Sequence, residues 1–426
     1  MKTDTMEPAG VAGASSQTAG FGLPPGAGPG AARAASPGRS ADPLASGAAP
    51  VATPPATPGS AHAHALAAAD ERRITGIRAR AVNVPLEYPV RTGVGVVATA
   101  PLVLIDLQVG ELTGHAYVFT YTPLALASTR AMVQALGEAI CGRPAAPFDI
   151  DRHLAGRLRL LGRGGIAGMA CAGLDMALWD ALARQQRLPL ATLLGGCPRP
   201  LPAYDSHSMD GEALALERAA RAVDAGFRAI KTKIGYATLA EDCRVVGALR
   251  RRIGDDVQLM VDYNQSLSVP EAARRLRALR EFDPAWVEEP TLQEDYAGHA
   301  RLRAAAELPI QMGENWCGVE EMQGALEAGA CDLAMPDAMK IGGVTGWLKA
   351  ATLAERHGLP VSSHIFQEVS AHLLAVTPTA HWLERMDLAA PILARPLAFR
   401  DGMAQPGEEP GSGVDWNEEA VGRYLA

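Results

Sequence analysis

The chain is short of the features that mark the commoner specialised proteins. Its six cysteines (Cys141, Cys171, Cys197, Cys243, Cys317 and Cys331) form no CxxC pair, so neither a zinc site nor a disulfide framework is indicated. They read instead as small core residues in a reducing compartment, the cytoplasm. There is no excess of positive charge: the net charge of −8 disfavours general nucleic-acid binding. No unbroken apolar run approaches the ~20 residues of a membrane span, so no membrane partner is expected. What remains is 426 residues at 48% hydrophobic and 20% charged. That composition suits a globular chain with two domains, or one barrel-sized domain with additions.

The first stretch differs from everything after it. From Pro8 to Ala69 the residues are mostly Ala, Gly, Pro, Ser and Thr, too little apolar surface to offset the entropy of ordering. Residues 1–70 are therefore expected to be disordered, as a dispensable extension or a tether. Order is expected from Ile74. The alternation of "ITGIRARAVNVPL" and the runs "PLVLIDLQV" and "LTGHAYVF" predict strands, and helical periodicity covers 124–140 and 166–184. These predict an α+β domain over 71–200.

From Leu201 a repeat takes over. Short apolar runs end in polar residues at Asp205, Lys231, Asp262, Glu288, Glu314, Asp337, His364 and Glu384, spaced 20 to 31 residues apart. That is the length of a strand, a helix and two loops. Eight units predict a closed (β/α) barrel over 201–395, with a short eighth unit and a segment 396–426 that packs on the N-terminal domain. Every polar cluster lies at the C-terminal end of its strand, the face where barrel enzymes hold their active sites.

Asp262, Glu288 and Glu314 end three successive strands and would converge on one mouth. Three convergent carboxylates repel one another unless a cation holds them, and all-oxygen ligation suits Mg²⁺, with Mn²⁺ possible. Glu289 follows Glu288 directly and is an equal candidate by periodicity. One unit earlier, Lys231 and Lys233 in "AIKTKIGY" share one face of their strand. A desolvated lysine beside a second cation loses its proton more easily and becomes a usable base. Asp337 and His364 follow the carboxylates, and a carboxylate-bonded imidazole is a second base. Asp337 with Lys340, and Glu384 with Arg385, can also be read as plain ion pairs. Two bases flanking a divalent cation fit proton abstraction α to a carboxylate through an enediolate.

These segments, with "MVDYNQS", "EEPTLQ", "MGENW", "MPDAMKIGGVTGW", "SSH" and "AHLLAVTPTAHWLER", together resemble the enolase superfamily, mandelate racemase subgroup, from Ile74 to the C-terminus. The resemblance implies an α/β fold, a modified (β/α)7β TIM-type barrel with an N-terminal α+β capping domain. It implies Mg²⁺ on Asp262, Glu288 and Glu314. Lys233 becomes the base for the S-enantiomer and His364, paired with Asp337, the base for the R-enantiomer. Lys231 would contact the substrate carboxylate and keep Lys233 neutral, Glu384 would donate a hydrogen bond to that carboxylate, and Ser206 would assist there. Asn264 would meet the α-hydroxyl, and Val90, Val94 and Val97 of the capping loop would wall an aromatic ring. Arg91, Gly93 and Cys317 depart from the pattern; an inward Arg91 would favour a second anionic group on the substrate. The implied activity is racemisation of mandelate or a close aromatic 2-hydroxy acid. Acid-sugar dehydration by the same subgroup is the rival, and an idle binding protein the remote one. The partners implied are a small 2-hydroxy carboxylate and copies of the chain itself, in an octamer.

Overall fold

The computed structural model describes residues 72–426; the expectation for residues 1–70 lies outside them, apart from which all predicted segments can be placed. Three antiparallel strands open the chain: β1 Ile74–Thr92, β2 Gly95–Val109 and β3 Leu112–Phe119. β1 and β2 form a hairpin whose tip carries Thr92–Gly95. Behind this sheet lie α1 Pro123–Ile140, α2 Pro147–Arg157 and α3 Gly165–Gln186, followed by the short α4 Leu190–Leu193. Thr122 caps α1, its hydroxyl accepting from Leu124 N.

α3 is long and apolar enough to cross a membrane, which the reading of unbroken runs did not register. It carries Asp175 and Asp180 and is 72% buried over its most apolar window, so it is a core helix. Gly114 of β3 makes the close approach possible, since a Cβ there would stand 2.0 Å from the carbonyl oxygen of Ala177.

The barrel follows as β4 Leu201–His207, α5 Gly211–Asp224, β5 Ala229–Lys233, α6 Leu239–Ile253, β6 Gln258–Asp262, α7 Val269–Leu279, β7 Trp286–Glu288, α8 Tyr296–Ala306, β8 Ile310–Met312, α9 Val319–Glu327, β9 Leu333–Ala334 and α10 Gly343–His357. Parallel pairing runs in order from β4 to β9. The seventh position is reduced to bridges, Ala334 with Val361, Asp337 with His364, and Val361 with Ala380, before α11 Gln367–Ala375. β10 Leu383–Arg385 then pairs parallel with β4 and closes the ring. Between β10 and the next strand the chain makes a 3₁₀ turn, Ala390–Ile392. The short eighth unit is thus the final strand of a (β/α)7β barrel.

The C-terminal segment has two attachments. The hairpin of β11 Ala398–Arg400 and β12 Met403–Gln405 extends the sheet beside β4. Past α12 Glu418–Arg423, Asn83 N donates to Tyr424 O at 2.9 Å and Ala426 N to Ala81 O at 3.0 Å, so the terminus lies along β1.

The cysteines are a correction. All six are free, but only Cys171 and Cys331 are buried, while Cys141 and Cys197 are exposed. Scattered spacing excludes a disulfide framework and does not assign burial.

Candidate active site

Strand register sets the site. Lys233 is the lateral partner of Asp262, and Asp262 of Glu288, so these three side chains emerge at one level of the barrel mouth. Ser206 is the partner of Lys231. Asp262 and Glu288 are fully buried and Glu314 is 7% exposed. Each of the three offers one carboxylate oxygen to a common point, with those atoms all within 4.8 Å of one another. Among the described residues this is the one such group, and it contains Glu288 rather than Glu289.

Glu289 turns away through a left-handed backbone (φ 35°). Its Oε2 accepts from Asn315 Nδ2 at 2.7 Å, and its Oε1 has no partner. Burial, and then the charge of Glu314, push its carboxyl well above the usual range.

Both lysines are buried. Lys231 Nζ lies 2.9 Å from Glu288 Oε1 and 2.9 Å from Glu384 Oε1, above the ring of Tyr204. Lys233 Nζ donates to Asp262 Oδ2 at 2.5 Å. Burial, the largest influence, and Lys231 push Lys233 down, as the sequence suggested, but Asp262 together with Glu314 and Glu288 raises it and the net direction is up. Asp262 Oδ2, at 2.5 Å, is the nearest partner that favours charge on Lys233 in this arrangement. Lys231 is raised well above its usual value: burial opposes charge, but Glu288 and Glu384 dominate.

On the opposite side, His364 Nδ1 lies 2.7 Å from Asp337 Oδ2, and Nε2 lies 3.1 Å from Glu314 Oε2. Glu314 Oε2 has no aligned hydrogen-bond donor. Burial pushes His364 down, but Glu314 and Asp337 raise it overall. Asp337 Oδ1 accepts from the backbone of Met339 and Lys340, while the Lys340 ammonium reaches Asn315 Oδ1 at 2.6 Å. The reading of Asp337 with Lys340 as a surface pair is therefore wrong. So is that of Glu384 with Arg385, which pairs instead with Asp205 at 2.8 Å.

Glu384 is buried beside Lys231. Burial would raise its carboxyl, but Lys231 and His364 hold it at about 2. Besides Lys231 it accepts from Ile365 N at 2.9 Å.

Above these groups opens a cavity of about 540 Å³ walled by Val90, Val94, Val96 and Val97 of the β1–β2 hairpin, Phe119 and Tyr121 from the end of β3, Met169 of α3, and Ile365, Met386 and Leu388. Lys233, Asn264, Glu314 and His364 face it. Val90, Val94, Val97 and Asn264 were expected. The aromatic and methionine wall was missed, because residues from three distant segments meet there with no shared spacing. Tyr121 is one of them, left-handed at φ 58°, with Lys340 4.5 Å above its ring. Asn264 N donates to Asp262 Oδ1 at 2.7 Å, leaving the Asn264 amide oxygen unpartnered.

Ser206 is buried with an unpartnered hydroxyl, and it lines a neighbouring cavity with Tyr88 and Arg218 rather than this one. Arg91 is exposed and absent from the cavity wall, which removes the argument for a second anionic group. Cys317 is half-buried, its N–H held by Glu321 at 2.9 Å.

The donor set fits a hard divalent cation: three converging buried carboxylates, one with an oxygen that no donor satisfies. Burial and Asp262 together push Glu288 well above the usual carboxylate range, a repulsion that a dication relieves.

The family models agree with this geometry. Residues 74–195 match the mandelate racemase / muconate lactonizing enzyme N-terminal domain, and residues 215–420 the enolase C-terminal domain-like model. The chain is similar to the 3,6-anhydro-alpha-L-galactonate cycloisomerase of Streptomyces coelicolor, 35% identical over 73% of this chain and 87% of the relative. It is also similar to the L-talarate/galactarate dehydratase of Salmonella typhimurium, 35% identical over 64% and 70%. A solved structure of an enolase from Bradyrhizobium, complexed with magnesium and mandelic acid, is 46% identical. It superposes with a TM-score of 0.80, covering 83% of this chain and 98% of that one. This chain belongs to the enolase superfamily, in the mandelate racemase / muconate lactonizing enzyme group.

Proposed function

We propose that the chain is a Mg²⁺-dependent racemase of an aromatic 2-hydroxy acid, mandelate or a near analogue. The observation that carries the substrate class is the wall of valine, phenylalanine and methionine facing Lys233 and His364. An aromatic ring loses water contact there without leaving hydroxyl groups unpaired. Mn²⁺ is a workable substitute for Mg²⁺.

Asp262, Glu288 and Glu314 hold the cation, which when bound neutralises charge on the substrate carboxylate as the α-proton leaves. Lys231 stays charged, pinned between Glu288 and Glu384. Burial and Lys231 favour the free base of Lys233, against the pull of Asp262. Lys233 takes the α-proton from one face. His364, oriented by Asp337 through Nδ1, presents Nε2 to the other face and returns it. Asn264, with its free amide oxygen, receives the α-hydroxyl.

Acid-sugar dehydration is the second reading: the L-talarate/galactarate dehydratase favours it, and the cycloisomerase also takes a sugar acid by name. It needs the same bases and enediolate. It also needs polar partners for several hydroxyls, and the cavity offers Thr92, Gln265, Asn315 and Lys340 for them. An assembly of identical subunits, an octamer, belongs to the first proposal and would be read by sedimentation.

The bases are tested by exchange in D₂O. Lys233→Arg and His364→Asn each abolish racemisation, while His364→Asn still exchanges the α-proton of (S)-mandelate. If that variant exchanges neither enantiomer, the two-base assignment is wrong.

A further inference from the structure

Below the two lysines lies a polar group that the proposed chemistry leaves unused. Glu288 Oε2 accepts from Lys231 Nζ at 3.1 Å, Trp286 Nε1 at 3.2 Å and Gln311 Nε2 at 3.4 Å. Oε1 accepts only from Lys231, at 2.9 Å. Trp286 stands two residues before Glu288 on the same face of β7. Gln311 is the lateral partner of Glu288 on β8. Both are fully buried.

Gln311 is an odd choice for a barrel core. Its Nε2 also contacts Met335 Sδ at 3.2 Å, but its Oε1 has no partner. A leucine or methionine would fill the place without an unpaired amide oxygen. What the amide alone supplies is an N–H aimed at Glu288. The indole of Trp286 supplies a second to the same oxygen.

We propose that Trp286 and Gln311 are positioning residues for the divalent cation. Their N–H groups grip Glu288 by Oε2 and fix its carboxylate plane, so that the carboxylate is held ready for the metal. Neither lines the substrate cavity, so both act on metal affinity and not on substrate binding. The inference rests on Glu288 being a ligand, as in the proposed function.

The test uses Mn²⁺ alone, without substrate, with bound and free ion distinguished by electron paramagnetic resonance. Trp286→Phe and Gln311→Leu should each weaken Mn²⁺ binding by roughly 10- to 100-fold, the usual effect of losing an outer partner of a ligand. The double variant should lose less than the product, because both donors serve one oxygen. At saturating metal the KM for substrate should stay within about twofold of wild type. Gln311→Leu should leave the thermal midpoint of the chelator-treated protein unchanged or higher. Variants that bind Mn²⁺ as tightly as wild type overturn the proposal. So does a loss of affinity matched by a lower midpoint without metal, which is a structural effect. A wild-type chain that binds no Mn²⁺ overturns the reading of the site itself, a distinguishable result.

Discussion

Asp175 and Glu368 are buried carboxyls that the proposed chemistry does not use. Asp175 accepts from Thr345 N at 2.9 Å and Thr345 Oγ1 at 2.5 Å, and Glu368 accepts from Tyr117 Oη at 2.7 Å. Burial pushes each up to about 7. The folded chain therefore binds these protons more tightly than the unfolded one. Their stabilisation is complete below the ordinary carboxyl values near 4 and is lost as pH rises through about 7. Thermal melts should show stability falling between about pH 4 and 7 by several kcal/mol, at about 1.4 kcal/mol per pKa unit for each group. Asp175→Asn with Glu368→Gln keeps both acceptors and should flatten that slope; an unchanged slope would contradict the assignment. At this scale the sequence disclosed residue type and strand face, and hence the three ligand candidates and two bases. It did not disclose the sign of a charge balance. Whether Lys233 or Glu384 carries its proton depends on partners at 2.5 Å and 2.9 Å, and spacing along the chain holds no such distances.

The β1–β2 hairpin supplies the valines Val90, Val94, Val96 and Val97 to the cavity wall. Its tip meets the barrel at Gly93, where a Cβ would stand 2.9 Å from Ser266 Cβ and Oγ. Gly235, itself left-handed at φ 108°, lies beside the same contact. Gly93→Val should lift the hairpin and lower kcat/KM roughly tenfold, about 1.4 kcal/mol, chiefly through KM. Adding Ser266→Gly should restore part of it. A Gly93→Val enzyme with unaltered kcat/KM would show that the tip does not close on the barrel this way. The strands themselves were legible because alternation marks the start of β1, a continuous apolar run marks β2, and a polar residue ends or closely follows each barrel strand. The helix Pro147–Arg157 was not: Pro147, Ile150 and Leu154 are its buried positions, too few apolar repeats for periodicity to register.

Across the whole molecule the C-terminal segment ties the capping sheet to the barrel. Glu418 holds Arg80 at 2.6 Å and 3.1 Å, and Arg80, only 7% exposed, also pairs with Asp106 at 2.9 Å. Deleting residues 418–426 removes that carboxylate and the backbone bonds of Asn83 and Ala81. It should cost about 1–3 kcal/mol per charged bond lost, read as a lower midpoint in urea; an unchanged midpoint would contradict the tie. The βα repeat exposed the barrel because every unit must return its chain to the same mouth. The closing of the cavity could not be read that way, since Phe119, Met169 and Leu388 come from elements far apart in sequence.

The central claim is that this mouth moves a proton on an aromatic 2-hydroxy acid. The direct measurement incubates (R)- and (S)-mandelate separately with the enzyme and Mg²⁺ in D₂O, following optical rotation and deuterium at the α-carbon, beside a panel of acid sugars. Both enantiomers should racemise and gain α-deuterium while the sugars are left intact. Dehydration of an acid sugar, with mandelate unchanged in rotation and free of deuterium, would contradict it.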